Sequence, residues 1–236
     1  MFESTVSAGV LRIKRPDTRW LSSGWAGGFH QATAAYNVAV PEEWDRQDVG
    51  AYLEQRRRTA DFPDPGPALL TGVDLKHARG ARAGPVEVFA TVGLSNPAAL
   101  PMTVDEPGAS TETDDTGEAS NPGTVNLIVG TDRALDDGTL ASLLALTAES
   151  KAATLIAETG FPGTTTDAVI VGSDPTGEPS AFAGSATEVG GAARVCVRDA
   201  LRASLHSRFA ETPMPTTVEE ATYGLRSEER AQVFLP

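Results

Sequence analysis

The sequence is poor in cysteine and histidine, and each shortage excludes a class of protein. Cys196 is the only cysteine in 236 residues, so the chain can form neither an internal disulfide nor a cysteine-based zinc site. The three histidines, His30, His77 and His206, lack the close spacing of zinc or iron ligands. We therefore expect no metal and no cofactor, and a chain kept in a reducing cytoplasm.

Positive charge is also scarce. The 32 acidic residues outnumber the 19 basic ones, which gives a formal net charge of −13, and only Lys14, Lys76 and Lys151 are lysines. A nucleic acid or an anionic membrane is therefore not an expected partner. An acidic surface is typical of proteins adapted to high salt, and we prefer this interpretation to a site for a cationic partner.

Long apolar runs are missing as well. No stretch reaches the roughly 18 consecutive apolar residues of a membrane-spanning helix, and residues 1–11 lack the pattern of an export signal. The composition thus predicts a soluble, cytoplasmic protein. Its length fits one domain, which we place at 1–210, followed by an extended tail at 211–236. The acidic segment 104–121 has almost no bulky apolar side chain and is predicted to be an inserted loop.

Hydrophobic periodicity predicts both strands and helices. Apolar residues alternate from Val86 to Val92, between Pro85 and Gly93, as in a strand. Shorter strand signals lie at 9–13, 19–23, 34–40, 68–73, 124–129 and 167–171, and helical signals lie at 48–59, 136–158 and 188–209. A strand-rich amino-terminal half and a helix-strand-helix carboxy-terminal half predict an α+β or mixed α/β fold that forms one layered sandwich.

A glycine turn follows one of these strands. Ser22 and Ser23 precede Gly27 and Gly28, where backbone amides could approach a ligand. The chain has neither the G-x-S-x-G elbow of many serine hydrolases nor a phosphate-loop lysine. These two enzyme classes are therefore not supported.

A second turn, the run GTTTD at 163–167, leads directly into an apolar strand. Thr164 and Thr166 bring hydroxyls there, and Asp167 brings a carboxylate. A carboxylate at such a junction could be desolvated and act as a general base, or it could cap the turn. The residues alone favour capping.

Two asparagines and one glutamate are further candidates. Asn37 and Asn126 each interrupt an apolar strand, where a buried amide must be hydrogen-bonded, so structural and functional roles are equally compatible. Glu149 and Lys151 are two positions apart on a predicted helix, so they face different sides and one of them can reach a site.

In their order along the chain, several short blocks resemble the adenosylcobinamide amidohydrolase family of corrinoid salvage. They run from about residue 18 to 205 and comprise LSSGWAGGF, YNV with Pro41, LTGV at 70–73, VGLSNP at 92–97, GTVN at 123–126, LDDG at 135–138, Glu149 with Lys151, GTTTD, and FAG at 182–184. The chain departs from the family at Thr165, where glycine is usual, and at 185–188, where SATE replaces a Thr-His-Thr-Lys run.

The resemblance implies hydrolysis of the amide that joins aminopropanol to the corrin side chain of adenosylcobinamide, giving adenosylcobyric acid. Amide hydrolysis needs an activated nucleophile, donors for the oxyanion and an acid for the leaving amine. In our hypothesis Asp167 or Glu149 activates a water or hydroxyl, and Asn37 and Asn126 donate hydrogen bonds. The predicted substrate contacts are Ser22, Ser23, Gly27, Gly28, Asn37, Asn126, Thr164 and Thr166.

Two other functions remain open at this point. A corrinoid-binding protein without catalysis would need the glycine turns but no ionisable centre, and the departures at 185–188 are compatible with it. A salt-adapted structural or interaction protein would have no corrinoid affinity. A homo-oligomer is compatible with the sequence.

Overall fold

A computed structural model describes residues 1–41, 48–102 and 123–236, and the predicted acidic loop at 104–121 lies outside these ranges. Within them the fold is built from one large sheet, a two-stranded sheet and three α-helices. The strands are β1 (Glu3–Ser7), β2 (Val10–Ser22), β3 (Gly28–Ala39), β4 (Ala68–Thr71), β5 (Arg79–Ala83), β6 (Val86–Val92), β7 (Ala98–Ala99), β8 (Val125–Ala134), β9 (Ala168–Pro179) and β10 (Leu225–Arg226). The helices are α1 (Val49–Thr59), α2 (Asp137–Thr159) and α3 (Glu188–Arg208), with 3₁₀ turns at Leu75–His77 and Val218–Glu220.

The large sheet has eight strands in the order β4-β3-β2-β9-β8-β6-β5, with β1 paired to β2. The pairs β3–β4 and β8–β9 are parallel, and helices α1 and α2 connect them; the other pairs are antiparallel. β10 pairs with β7 in the separate small sheet. The tail therefore returns to the main body and adds a strand there.

The large sheet curls into an open barrel. Asn126 of β8 donates hydrogen bonds to Asn37 of β3 and to the carbonyl of Leu70 in β4, although these strands are far apart in the sheet order. The barrel interior holds a core of buried residues, namely Phe2, Leu11, Ile13, Trp20, Ala35, Leu69, Leu75, Ile128 and Ile170. The curl of the sheet therefore places the ends of distant strands side by side.

Paired glycines make room for the largest interior rings. Gly130 and Gly172 lie opposite each other in β8 and β9. A Cβ on Gly130 would clash with the ring of Phe2, and a Cβ on Gly172 would clash with that of Trp20. The two aromatic rings pack at 5.6 Å between centroids, so both glycines are required by close approach.

Helices α2 and α3 cover the other face of the sheet. Leu127 and Val129 of β8 contribute to the core on this face, whereas Ile128 between them points into the barrel. Among the described residues α2 is the one helix long and apolar enough to cross a membrane by length and composition. It packs against α3 and β9, and its Leu140 and Leu155 are fully buried, which is typical of a core helix in a globular fold.

The predicted layered α+β architecture is confirmed. β6 coincides with the predicted strand, and the three predicted helices agree with α1, α2 and α3 within one residue at either end. The signals at 9–13 and 19–23 belong to one long strand, β2, which is interrupted by a register shift between Lys14 and Thr18. β9 extends to Pro179, well beyond the predicted 171, because its second half pairs with β8 although it is no longer apolar. The domain limits 1–210 stay a prediction.

Candidate active site

Polar residues gather at one end of the curled sheet, where β6 ends and β8 and β9 begin. Helix α3 also ends there, and the hydroxyl of Ser204 in its last turns accepts a hydrogen bond from the Val92 amide at 3.1 Å. Lys151 of α2 reaches the same end through its pair with Asp167. The site is therefore assembled from strand ends and helix ends that are remote in sequence.

Asp167 is surrounded by hydrogen-bond donors. Its Oδ1 accepts from the Val125 amide at 3.1 Å and from the Thr164 hydroxyl at 2.5 Å. Its Oδ2 accepts from the Thr164 amide at 3.1 Å and pairs with Lys151. A Cβ on Gly163 would overlap this pair, so the glycine makes the contact possible. Because a carboxylate has about four acceptor positions, the described donors occupy all of them.

A second set of hydrogen bonds holds the 163–166 turn to neighbouring segments. The amide nitrogen of Asn96 donates to the hydroxyls of Thr165 at 2.6 Å and Thr166 at 3.3 Å. The Thr166 hydroxyl also lies 3.0 Å from that of Thr124, which directly precedes β8. Thr166 is thus placed at the site by its neighbours. Asn96 was missed from sequence, although it lies in the VGLSNP block, because nothing local marks it as buried.

Asn37 and Asn126 lie together inside the barrel and are 2% and 1% exposed. Asn126 Nδ2 donates to Asn37 Oδ1 at 2.9 Å and to the Leu70 carbonyl at 2.8 Å. Asn37 Nδ2 in turn donates to the Thr91 hydroxyl at 2.9 Å. Both N–H groups of Asn126 are therefore engaged, and this geometry supports a role in closing the barrel rather than in binding an oxyanion.

The glycine turn between β2 and β3 is tied to the start of β9. The Ser23 hydroxyl accepts from the Val169 amide at 2.9 Å, and the buried Ser22 hydroxyl accepts from the Gly24 amide at 3.1 Å. Gly27 and Gly28 are exposed, and Gly28 has φ +105°, which favours glycine. The turn therefore lies beside the N-terminal end of β9, and its role in substrate binding stays a prediction.

Glu149 lies apart from these residues. Its carboxylate pairs with Arg194 of α3 at 2.5 Å and is 63% exposed. Lys151, two positions later on α2, instead points toward Asp167. Of the two carboxylates proposed as the base, the structure brings only Asp167 into the polar cluster, which comprises Asn96, Thr124, Lys151, Thr164, Thr165, Thr166 and Asp167.

The residues that replace the family's Thr-His-Thr-Lys run lie at the beginning of α3. Thr187 caps the helix by accepting from the Gly190 amide at 3.1 Å. Glu188 pairs with Arg133 near the end of β8, at 3.1 Å. This is the opposite end of the sheet from Asp167, so the departures do not alter the polar cluster directly.

A cleft of about 460 Å³ opens beside the polar cluster. It is bounded by the segments that follow β4 and β6, by the residue before Thr124, by the end of α3 and by the tail. The lining includes Val73, Ser95, Gly123, Arg208, Phe209 and Glu220. Ser95 and Gly123 join the cleft to the cluster, because the Ser95 hydroxyl accepts from the Gly123 amide and Asn96 follows Ser95 in the chain.

Two further groups, His77 beside the end of α3 and Cys196 in the middle of that helix, have altered ionisation. His77 Nδ1 lies 3.0 Å from the Ser207 hydroxyl, and burial, with Lys76 and Arg208 nearby, lowers the pKa of His77. Burial raises the pKa of Cys196 to about 11, so its thiol is not ionised at neutral pH and is a poor nucleophile. Within the described ranges no group of three His, Cys, Asp or Glu side chains could hold a metal ion.

The comparisons with known proteins agree along the length of this fold. Residues 3–213 match the family described as adenosylcobinamide amidohydrolase. The adenosylcobinamide amidohydrolase of Halobacterium salinarum is 51% identical over 238 residues and covers 100% of both chains. That of Methanosarcina mazei is 25% identical over 207 residues, which are 83% of this chain and 94% of the relative. The acidic composition agrees with a relative from a halophile, and the chain belongs to the adenosylcobinamide amidohydrolase family.

Proposed function

We propose that this protein hydrolyses the amide between aminopropanol and the corrin side chain of adenosylcobinamide and releases adenosylcobyric acid. The observation that carries the proposal is the family match over residues 3–213, which includes every strand of the curled sheet and all three helices. The cleft beside the polar cluster supplies a place for the reaction next to buried hydrogen-bonding groups.

The polar cluster suggests how its residues would contribute. Asp167 is the first candidate for the base, because Glu149 lies on the surface and pairs with Arg194. All four acceptor positions of Asp167 are occupied, so a water could be activated only where the Thr164 hydroxyl gives way. The alternative is that Asp167 only positions the 163–166 turn, which is the capping role that the sequence favours.

The test is turnover by the purified full chain. We expect the protein to release aminopropanol from adenosylcobinamide in molar salt without added nucleotide. Mass spectrometry detects the released amine. A folded protein that binds the corrinoid but releases no amine would instead be a corrinoid-binding protein. A folded protein without affinity for the corrinoid would support the structural or interaction class.

The composition of the chain supports an inference about its cellular location and its partners. A net charge of −13 does not favour binding to nucleic acid or to an anionic membrane, and we infer a cytoplasmic enzyme whose partner is the corrinoid substrate.

A further inference from the structure

Amide hydrolysis turns one neutral group into two charged ones. Water adds its oxygen to the carbonyl carbon, the C–N bond breaks, and both protons of the water end on the leaving nitrogen. At neutral pH the products are a carboxylate and a primary ammonium ion. A site for this reaction therefore gains from one cationic and one anionic side chain near the scissile bond.

The cleft holds one charged residue of each sign in its described lining, Arg208 and Glu220. They come from different parts of the chain, since Arg208 ends α3 and Glu220 ends the 3₁₀ turn of the tail. The other lining residues are apolar or carry only hydroxyl and backbone groups. These two side chains thus set the charge of the cleft.

Arg208 is available for an anion. Its guanidinium carbon lies 5.3 Å from the centroid of the Phe209 ring, which supports the group from one side. No carboxylate of the described ranges lies within ion-pair distance of it, in contrast to Arg202 earlier on α3, which pairs with Glu158 at 2.7 Å. The planar fork of a guanidinium suits a carboxylate or an oxyanion.

Glu220 is held in the charged form. Its Oε2 accepts from the Thr216 amide at 2.7 Å and from the Thr216 hydroxyl at 3.1 Å, and the backbone hydrogen bond lowers the pKa of Glu220. The segment that carries it is fixed to the body, because the Tyr223 amide donates to the Ser95 carbonyl at 2.8 Å. The tail therefore presents an oriented carboxylate to the cleft.

The volume of the cleft decides which part of the substrate enters. About 460 Å³ is within the range that encloses a drug-sized ligand, and it fits a propionyl-aminopropanol arm. A corrin macrocycle with its other amide arms and adenosyl group is much larger. The ring therefore stays outside while one arm enters.

We propose that the cleft is the subsite for the scissile arm, in which Arg208 binds the developing oxyanion and then the product carboxylate, and Glu220 binds the leaving aminopropanol nitrogen. This assignment rests on the proposed function. It gives the oxyanion a donor that Asn126 does not provide, because both N–H groups of Asn126 are already engaged. It also makes the tail a part of the substrate site.

The test separates binding of the charged product from binding of the neutral substrate. For Arg208→Gln we expect kcat to fall on the order of 10²-fold, which is typical of losing one oxyanion donor. The inhibition constant of adenosylcobyric acid should rise about tenfold, while KM for the neutral amide changes little. Arg208→Lys, which keeps the charge, should recover part of both. The matched control is Arg198→Gln on the same helix, where the arginine pairs with its exposed neighbour Asp199.

Glu220→Gln tests the other end of the cleft. It should weaken product inhibition by protonated aminopropanol about tenfold and leave inhibition by the acid nearly unchanged. A folded Arg208→Gln protein with parental kcat and parental inhibition by adenosylcobyric acid would overturn the assignment while leaving the amidohydrolase function intact. If the parent itself releases no aminopropanol, the proposed function fails, and adenosylcobyric acid affinity of parent and Arg208→Gln still tests the cleft.

Discussion

Replacing Asp167 by asparagine keeps the shape of the side chain and removes its charge. In the structure Asp167 accepts hydrogen bonds from Val125, from both donors of Thr164 and from Lys151, and the side chains of Lys151 and Asp167 are 12% and 11% exposed. An asparagine has one oxygen and one NH₂ group, so two of the four donors would face another donor. We therefore expect Asp167→Asn to be destabilising, even though asparagine often caps turns well.

The size of the loss follows from burial. Removing one partner of a buried ion pair lowers the free energy of unfolding by about 3–5 kcal/mol. Because the Lys151–Asp167 pair keeps about a tenth of its surface in water, we expect a loss of about 3 kcal/mol. For a chain of this length such a change lowers Tm by roughly 6–12 °C. Urea and thermal unfolding in molar salt measure it.

The control for this variant is Glu149→Gln, which breaks the exposed pair between Glu149 of α2 and Arg194 of α3 and should cost less than about 1 kcal/mol. Turnover is measured at a temperature where all proteins are folded, and loss of a general base should lower it by ~10² or more. Parental stability of Asp167→Asn would refute the buried-pair reasoning, and parental turnover in the folded variant would refute the role as base.

Three other expectations concern the amide chain, His77 and salt. Asn126→Ala leaves the Leu70 carbonyl and Asn37 Oδ1 without their buried donor, and each orphaned acceptor costs about 1–3 kcal/mol. Urea unfolding should therefore show a free energy of unfolding lower by about 3 kcal/mol, with kcat near parental. A stable variant that has lost turnover would instead support a functional role for Asn126. Burial lowers the pKa of His77 below 6.5, so as pH falls the imidazole is protonated in the unfolded chain before it is protonated in the folded one. The contribution of neutral His77 to the free energy of unfolding is therefore complete above pH 6.5 and is lost as pH falls through the folded pKa. Tm should therefore fall less from pH 7 to pH 5 in His77→Gln than in the parent, and equal slopes would contradict this assignment. Lowering salt from molar to millimolar should reduce the circular-dichroism melting temperature, since the net charge of −13 is then less screened; an unchanged melting temperature would remove the interpretation of the acids as salt adaptation.

Local pattern determined which elements could be predicted. The alternation in β6 and the periodicity of α2 are contained in neighbouring residues, and both elements were located from them; the structure adds that Asp136 and Gly160 cap α2. β1 and β5 have few apolar residues, and their pairing with β2 and β6 forms them. A strand of this kind has little local signal.

The site was harder to predict than the fold because its contacts are long-range. Asn37 and Asn126 were singled out as buried amides, but their direct hydrogen bond joins residues 89 positions apart and depends on the curl of the sheet. Asp167 was placed at a turn by sequence, whereas its pair with Lys151 depends on how α2 crosses β9. Arg208 and Glu220 have no pattern of their own, since each is an exposed charged residue in a chain that has many.

The acidic composition gives the cleft arginine added meaning. In a chain with 13 more acidic than basic residues, an exposed arginine readily finds a carboxylate, and Arg133, Arg194 and Arg202 on the described surface each do. Arg208 has no such partner among the described residues and is stacked on Phe209 instead. Molar salt screens charges that are separated by more than about 3 Å, but a guanidinium in direct hydrogen-bonded contact with an oxyanion is screened less. An arginine left unpaired in the cleft of a salt-adapted protein is therefore suited to an anion that forms during the reaction, and its effect on product inhibition should persist in salt that abolishes long-range attraction.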